Sequence, residues 1–104
     1  MPTDVIFTGK TDTGVSDLFD CVGYANIEMV IWSEEANPDA TLQIERVVTD
    51  TAPVFILASP DLSVTNPAIY DIPSTAQVRL EVMTNASGKA VNAKISRSKF
   101  EGGP

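Results

Sequence analysis

Residues 24–33 decide the fold of this chain, and they read Tyr-Ala-Asn-Ile-Glu-Met-Val-Ile-Trp-Ser. In an extended chain, successive side chains point to opposite faces, so residues two apart share a face. The first face of this segment is apolar and carries Ala25, Ile27, Met29 and Ile31. The second face is mixed and carries Tyr24, Asn26, Glu28, Val30 and Trp32. This pattern predicts a β-strand with one side against a hydrophobic core.

The same alternation recurs further along the chain, within residues 41–48, 77–84 and 90–98. The positions that we expect to point inward are Leu42, Ile44, Val78, Leu80, Val82, Val91, Ala93 and Ile95. Residues 54–57 form a continuous apolar run, which predicts a strand buried on both sides. No window shows apolar residues at helical spacing, so the chain is expected to be all-β.

Shorter extended segments are expected at residues 5–7, 18–22 and 68–73. We expect the last of these to be a short extended segment rather than a central strand, since Pro73 has no N–H to donate to a sheet. The segment Asn85-Ala-Ser-Gly-Lys89 carries the turn residues of a β-hairpin, with Gly88 at a position that suits a positive φ.

About seven or eight short strands separated by turns are typical of an antiparallel β-sandwich, and we expect a jelly-roll-like arrangement. A length of 104 residues fits one domain. We therefore predict a single domain over residues 1–104, with its core in 5–98 and a flexible tail at 99–104.

Composition argues against most enzyme mechanisms. The chain has no histidine and a single cysteine, Cys21, so a zinc site and a serine or cysteine nucleophile with a histidine base are excluded. We expect Cys21 to be a small buried apolar residue rather than a reactive thiol. No phosphate-binding glycine loop is present. The sequence therefore predicts a non-enzymatic protein without cofactor or metal.

Charge is divided unevenly along the chain, whose net charge is −7. Residues 1–71 carry twelve acidic and two basic side chains, and residues 72–104 carry two acidic and five basic ones. Nucleic acid is a poor partner for such a protein, because phosphate binding needs a dominant basic face. No apolar run is long enough to cross a membrane, and the first residues do not resemble a signal peptide. We therefore expect no membrane partner and synthesis in a cytoplasm.

The triplet Asp12-Thr13-Gly14 resembles the active-site triplet of retroviral-type aspartic proteases, which are all-β homodimers of similar length. Two carboxyl groups that share a proton across a dimer axis can act as acid and base without histidine. In that family an apolar strand precedes the triplet, whereas here Gly9-Lys10-Thr11 does. A cryptic protease at Asp12 is the third functional hypothesis.

Aromatic side chains suggest a second hypothesis, a carbohydrate-binding or host-attachment module. Trp32 and Tyr24 are expected on the same outer strand face, where flat rings could pack against sugars, and Tyr70 lies elsewhere. Met83, on the polar face of its strand, is a candidate contact residue like Trp32 and Val30. Two acidic loops are candidates for Ca²⁺ binding, one with Asp12, Asp17 and Asp20 and the other with Glu34, Glu35 and Asp39. We interpret both as solvated turns, and Ca²⁺ binding is the less favoured alternative.

The whole chain is similar in style to small β-sandwich proteins of tailed bacteriophages, namely capsid decoration (cement) and head-fibre modules. The stretches that carry this likeness are Gly23-Tyr-Ala-Asn-Ile27, Ala40-Thr-Leu-Gln-Ile-Glu45, Tyr70-Asp-Ile-Pro73 and Ala76-Gln-Val-Arg-Leu80. The resemblance implies a jelly-roll homotrimer on the outer surface of a virion, made in the host cytoplasm. Its implied partner is the shell of major capsid protein, and its implied function is to stabilise that shell.

Overall fold

The computed structural model describes residues 3–48, 54–73 and 77–99, and within these ranges every regular element is a β-strand. The strands are β1 (Thr3–Lys10), β2 (Gly14–Val15), β3 (Phe19–Asp20), β4 (Tyr24–Trp32), β5 (Ala40–Val47), β6 (Phe55–Ala58), β7 (Ala68–Asp71), β8 (Gln77–Asn85) and β9 (Val91–Lys99). The all-β prediction is confirmed.

The strands form two antiparallel sheets. Sheet 1 has the order β1-β9-β4-β7, and sheet 2 has the order β2-β8-β5-β6. Strand β3 pairs with β8 on the same side as β2, so that β2 and β3 act as one interrupted edge strand. Counted in this way, four strands in each sheet give the double-sheet arrangement of a jelly roll, in which the first and last strands are neighbours. The predicted β-sandwich is confirmed.

Alternate side chains of the long strands fill the space between the sheets, as the period of two predicts. All eight predicted inward positions of β5, β8 and β9 are buried, as are Ile27, Met29 and Ile31 of β4. Ala25, which was also predicted to face the core, is exposed, because the pairing of β4 with β9 is irregular there. Ala68, Ile72 and Leu62 close the core at the side of β7. Cys21 also belongs to this core and is completely buried, as predicted, and burial raises the pKa of its thiol.

The predicted burial of residues 54–57 on both sides is wrong. Strand β6 pairs with β5 and has no strand on its other side among the described residues. Phe55 and Ile56 are 51% and 56% exposed. An unbroken apolar run identifies a strand, but it does not distinguish a central strand from an edge whose apolar side chains face solvent.

The turn at residues 85–89 forms as expected, but it does not make a hairpin. The Gly88 N–H donates to the Asn85 carbonyl over 3.2 Å, and Gly88 has a φ of 67°. The strands on either side, β8 and β9, belong to opposite sheets. Their inward residues face each other across the core instead of pairing side by side, so the turn connects the two layers of the sandwich.

Arg97 joins the two sheets at the opposite end of the molecule. Its guanidinium group forms an ion pair with Asp4 of β1 and donates to the carbonyl of Asp20 in β3 over 2.6 Å. The same group lies over the rings of Tyr24 and Phe19, 5.1 and 5.9 Å from their centroids. The half-buried guanidinium group of Arg97 therefore connects its own strand, β9, to β1 and to the interrupted strand of β2 and β3.

Strand β9 continues to Lys99, one residue into the predicted tail, and residues 100–104 lie outside the described part of the chain.

Shortening a central core side chain is expected to destabilise the fold strongly. Leu80 is fully buried in β8, so Leu80→Ala should lower the free energy of unfolding by about 2–5 kcal/mol. Ile69 is 58% exposed on β7, and Ile69→Ala should change stability by no more than about 0.5 kcal/mol. Urea denaturation measures both, and equal effects would contradict this assignment of the core.

Candidate functional site

The outer face of sheet 1 carries a row of mainly aliphatic side chains across all four strands. Val5 of β1 is opposite Lys94 of β9, Lys94 is opposite Val30 of β4, and Val30 is opposite Ile69 of β7. Val5 is 55% exposed, and Ile69 is also largely exposed. Along this row, an apolar band with one cation therefore replaces the polar side chains that a solvated sheet would show.

A groove of about 500 Å³ opens on this face. It is within the size range of small-ligand sites in proteins. Its lining includes Trp32 and Val30 from β4, Lys94 and Ser96 from β9, Thr3 from β1, and Ser33, Asn66 and Pro67 from the adjoining loops. An indole ring, a proline ring and a valine thus share the groove with hydroxyl, amide and ammonium groups.

A pair of hydrogen bonds holds one wall of the groove in place. The backbone N–H of Ser33 donates to the Asn66 side-chain oxygen over 3.1 Å, and the Asn66 amide donates to the Ser33 carbonyl over 3.0 Å. These two hydrogen bonds resemble those that a neighbouring strand would make to Ser33, the residue that follows β4. The position of Asn66 brings Pro67, which follows a cis peptide bond, to the side of the groove.

Lys94 is the one charged side chain among the described residues that line the groove. Its Nζ lies 5.8 Å from the centre of the Trp32 ring, within the range of a cation–π contact. The ring therefore has an ammonium group beside it. A ligand that combines a flat apolar surface with hydroxyl or anionic groups fits this combination chemically.

Beyond the groove, the outer face of sheet 1 becomes acidic. Glu28 of β4 and Asp71 of β7 are exposed and directly opposite each other. They border a second hollow of about 380 Å³ together with Asn26 and Ile72. Like charges directly opposite on neighbouring strands destabilise the pair. The face therefore has a cationic side at Lys94 and an acidic side at Glu28 and Asp71.

The four predicted contact residues do not form one site. Trp32 lines the groove, whereas Tyr24 and Tyr70 are half-buried and pack against the core. The expectation that Tyr24 shares a face with Trp32 is wrong, because the register shifts between Tyr24 and Asn26 and turns the ring inward. Met83 is 40% exposed on the other sheet, where the pairing of β8 with β5 is also irregular.

Sequence reasoning missed Asn66 and Pro67, and it also missed the position of Lys94 over Trp32. Asn66 lies 33 residues from Ser33 along the chain, so no local spacing connects the two. Several other cations of residues 72–104 are bound to oxygen acceptors within the molecule. Lys89 donates to the Ala36 carbonyl, and Arg79 pairs with a buried carboxylate.

That carboxylate belongs to Glu45, which is only 1% exposed although it lies in β5 on the outer side of sheet 2. The Arg79 Nε donates to the Glu45 Oε1 over 2.7 Å. Glu81, two residues along β8, has a raised pKa, chiefly because it shares a hydrogen bond with Glu45. Burial and the negative charge of Glu45 raise it further, and Arg79 opposes them.

Asp12 lies in the loop between β1 and β2, fully open to solvent. Its carboxylate pairs with Lys10 at 3.0 Å, and this hydrogen bond and charge lower the pKa of Asp12. An exposed carboxylate paired with a lysine differs from the proton-sharing pair of carboxyl groups that the protease hypothesis requires. Within residues 3–48, 54–73 and 77–99, no group of three or more potential metal-ligating side chains occurs.

Comparison with known proteins assigns no family: no protein-family model and no curated protein matches the chain. Among the described residues, no helix could span a membrane.

Removing the charge of Glu81 should change how stability depends on pH. A raised pKa means that the folded protein holds the Glu81 proton more tightly than the unfolded chain does. Glu81 therefore favours folding most below its ordinary pKa of 4.5, and this contribution is lost as the pH rises through the raised value. Glu81→Gln should be more stable than wild type at neutral pH, and that advantage should shrink in acid.

Urea midpoints of both proteins at a series of pH values measure this difference. Glu34→Gln, in an exposed turn, is the matched control and should follow the wild-type curve. A constant offset between Glu81→Gln and wild type at every pH would contradict the interaction with Glu45.

Proposed function

We propose that this protein is a non-enzymatic structural protein of a phage particle, a capsid decoration protein that binds the shell through the outer face of sheet 1. The observation that carries the proposal is the apolar band in which the exposed Val5 and Ile69 flank the half-buried Val30 of the groove at Trp32. Exposed apolar patches with polar rims mark interaction surfaces. The jelly-roll topology is also an architecture of viral capsid domains.

The physical basis of stabilisation is mass action. A decoration protein that binds only to assembled shell subunits adds its binding free energy to the cost of separating them. The outer face of sheet 1 suits such docking because it combines apolar side chains with charges of both signs, Lys94 on one side and Glu28 and Asp71 on the other. The apolar band would supply affinity, and the charges would select the orientation on the shell.

A charge in the apolar band of the proposed docking face should abolish most of its affinity for particles. Burying an isoleucine side chain contributes about 1.5–3 kcal/mol, so Ile69→Lys should weaken binding to undecorated particles at least about tenfold. Particles carrying the variant should lose the extra heat resistance that the wild-type protein confers. Co-sedimentation with particles and heat inactivation measure the two effects.

Met83→Lys is the matched control, since Met83 is an exposed apolar residue on sheet 2. It should bind particles as the wild type does. Failure of the wild-type protein to bind particles, or equal loss in both variants, would refute docking through sheet 1.

A carbohydrate-binding function is the second candidate, and the groove itself favours it. Trp32 offers an aromatic surface, and Lys94, Asn66 and Ser96 surround it with hydrogen-bonding groups. Sugars present an apolar ring face and a rim of hydroxyls, which match these two kinds of surface. In this case Trp32, rather than Ile69, would be the central contact.

Trp32 provides a direct optical test because it is the single tryptophan of the chain. If a sugar packs on the indole ring, adding oligosaccharides should change the fluorescence in a saturable way, and Asn66→Ala should weaken the effect by loosening the groove wall. Lys99→Ala, a change at an exposed residue outside the groove lining, should leave the response unchanged. An unchanged signal across neutral and acidic glycans would count against this candidate.

A further inference from the structure

The charge of Lys94 in the groove at Trp32 is not compensated by the strands around it. The residues opposite Lys94 are Val5 on one side and Val30 on the other, and neither can form an ion pair. Three other cations of the described chain pair with carboxylates, whereas Lys94 forms no ion pair with any described residue. The groove therefore holds an exposed ammonium group between aliphatic neighbours, with no anion bound to it from within the described ranges.

The aromatic contact of Lys94 leaves this ammonium group available to a ligand. Its Nζ lies 5.8 Å from the centre of the Trp32 ring, near the outer limit of about 6 Å for a cation–π contact. A carboxylate binds an ammonium group more strongly, because a charge-assisted hydrogen bond joins two full charges. An anion that approaches along the indole ring can therefore take the ammonium group from it.

The uncharged polar groups of the groove suit sugar hydroxyls. Asn66 donates one N–H to Ser33 and accepts one hydrogen bond from it, and a side-chain amide has a second N–H and a second lone pair. The Ser96 hydroxyl, 3.0 Å from that of Thr3, can both donate and accept. These groups can bind the hydroxyls of a neutral or an acidic sugar alike. Among the described lining residues, Lys94 is the group that distinguishes the two.

Charge on the rest of this face favours one orientation of an anionic ligand. Glu28 and Trp32 share the outer face of β4, about 13 Å apart along the strand, with Val30 between them. Lys94 is opposite Val30, and its Nζ is within reach of the Trp32 ring but forms no ion pair with Glu28. Glu28 and Asp71 repel an anion at one side of the groove, so its acidic group belongs at the side of Trp32.

We propose that the groove binds an acidic sugar, a pyranose ring that carries a carboxylate, with the apolar ring face on Trp32 and the carboxylate at Lys94. A carboxylate attached directly to a sugar ring stays close to that ring, so both contacts can form together. This inference rests on the carbohydrate-binding function given above as the second candidate, and it names the class of sugar. It does not depend on docking to a phage shell.

The trimer of galacturonic acid and its methyl ester form a matched pair of probes, because esterification removes the charge and keeps the sugar ring. The wild-type protein should bind the acid about five- to tenfold more tightly than the ester. Added salt should weaken the binding of the acid and not that of the ester. Lys94→Gln should bind both with equal affinity. Titrations followed by Trp32 fluorescence and by calorimetry measure these affinities.

Lys99→Gln is the matched control, since it removes the same charge from an exposed residue of β9 outside the groove lining. It should keep the preference for the acid, and thermal unfolding checks that both variants fold. Equal affinity of the wild type for acid and ester would overturn this inference and leave carbohydrate binding intact, whereas no response to either would count against both. A preference that Lys94→Gln retains, or equally tight binding of triglutamate, which has carboxylates but no sugar ring, would also overturn it.

Discussion

The fold depends on the burial of alternate side chains from four long strands, β4, β5, β8 and β9, between two sheets. These residues form most of the core, together with Cys21, Leu62, Ala68 and Ile72, so packing constrains the other face of each strand less. The outer faces of the two sheets accordingly carry different kinds of side chain. Sheet 1 shows an aliphatic row and a groove, and sheet 2 shows a buried Glu45 bound by Arg79.

The strands and their inward faces could be predicted from the sequence, because a period of two is a local property. The assignment of strands to sheets could not. The turn at residues 85–89 has the residues of a hairpin, yet the strands on either side of it belong to different sheets. Side chains on either strand are apolar at alternate positions in both arrangements, so the pattern is the same. The exposure of β6 was missed for a related reason, since an apolar run does not reveal how many neighbours its strand has.

The candidate site was predictable only in part. Trp32 was identified from its place on the outer face of β4, and it does line the groove. The groove itself needs Asn66, Pro67 and Lys94, which come from two parts of the chain remote from Trp32 and meet it only after the sandwich has formed. Tyr24 was assigned to the wrong face because a single irregularity in the pairing of β4 with β9 reverses the direction of the residues beyond it.

The two ends of the molecule along the strand direction, its poles, carry different features because β1 and β9 are neighbours. Thr3 is opposite Ser96, and Tyr24 is opposite Lys99, so both ends of the described chain emerge at the pole where Arg97 connects the sheets. The other pole carries the turns at residues 34–39 and 85–89, which are joined by hydrogen bonds such as that from the Asp39 N–H to the Ser87 hydroxyl. The two poles therefore differ in kind, because one carries both ends of the described chain and the other carries two turns that are tied to each other.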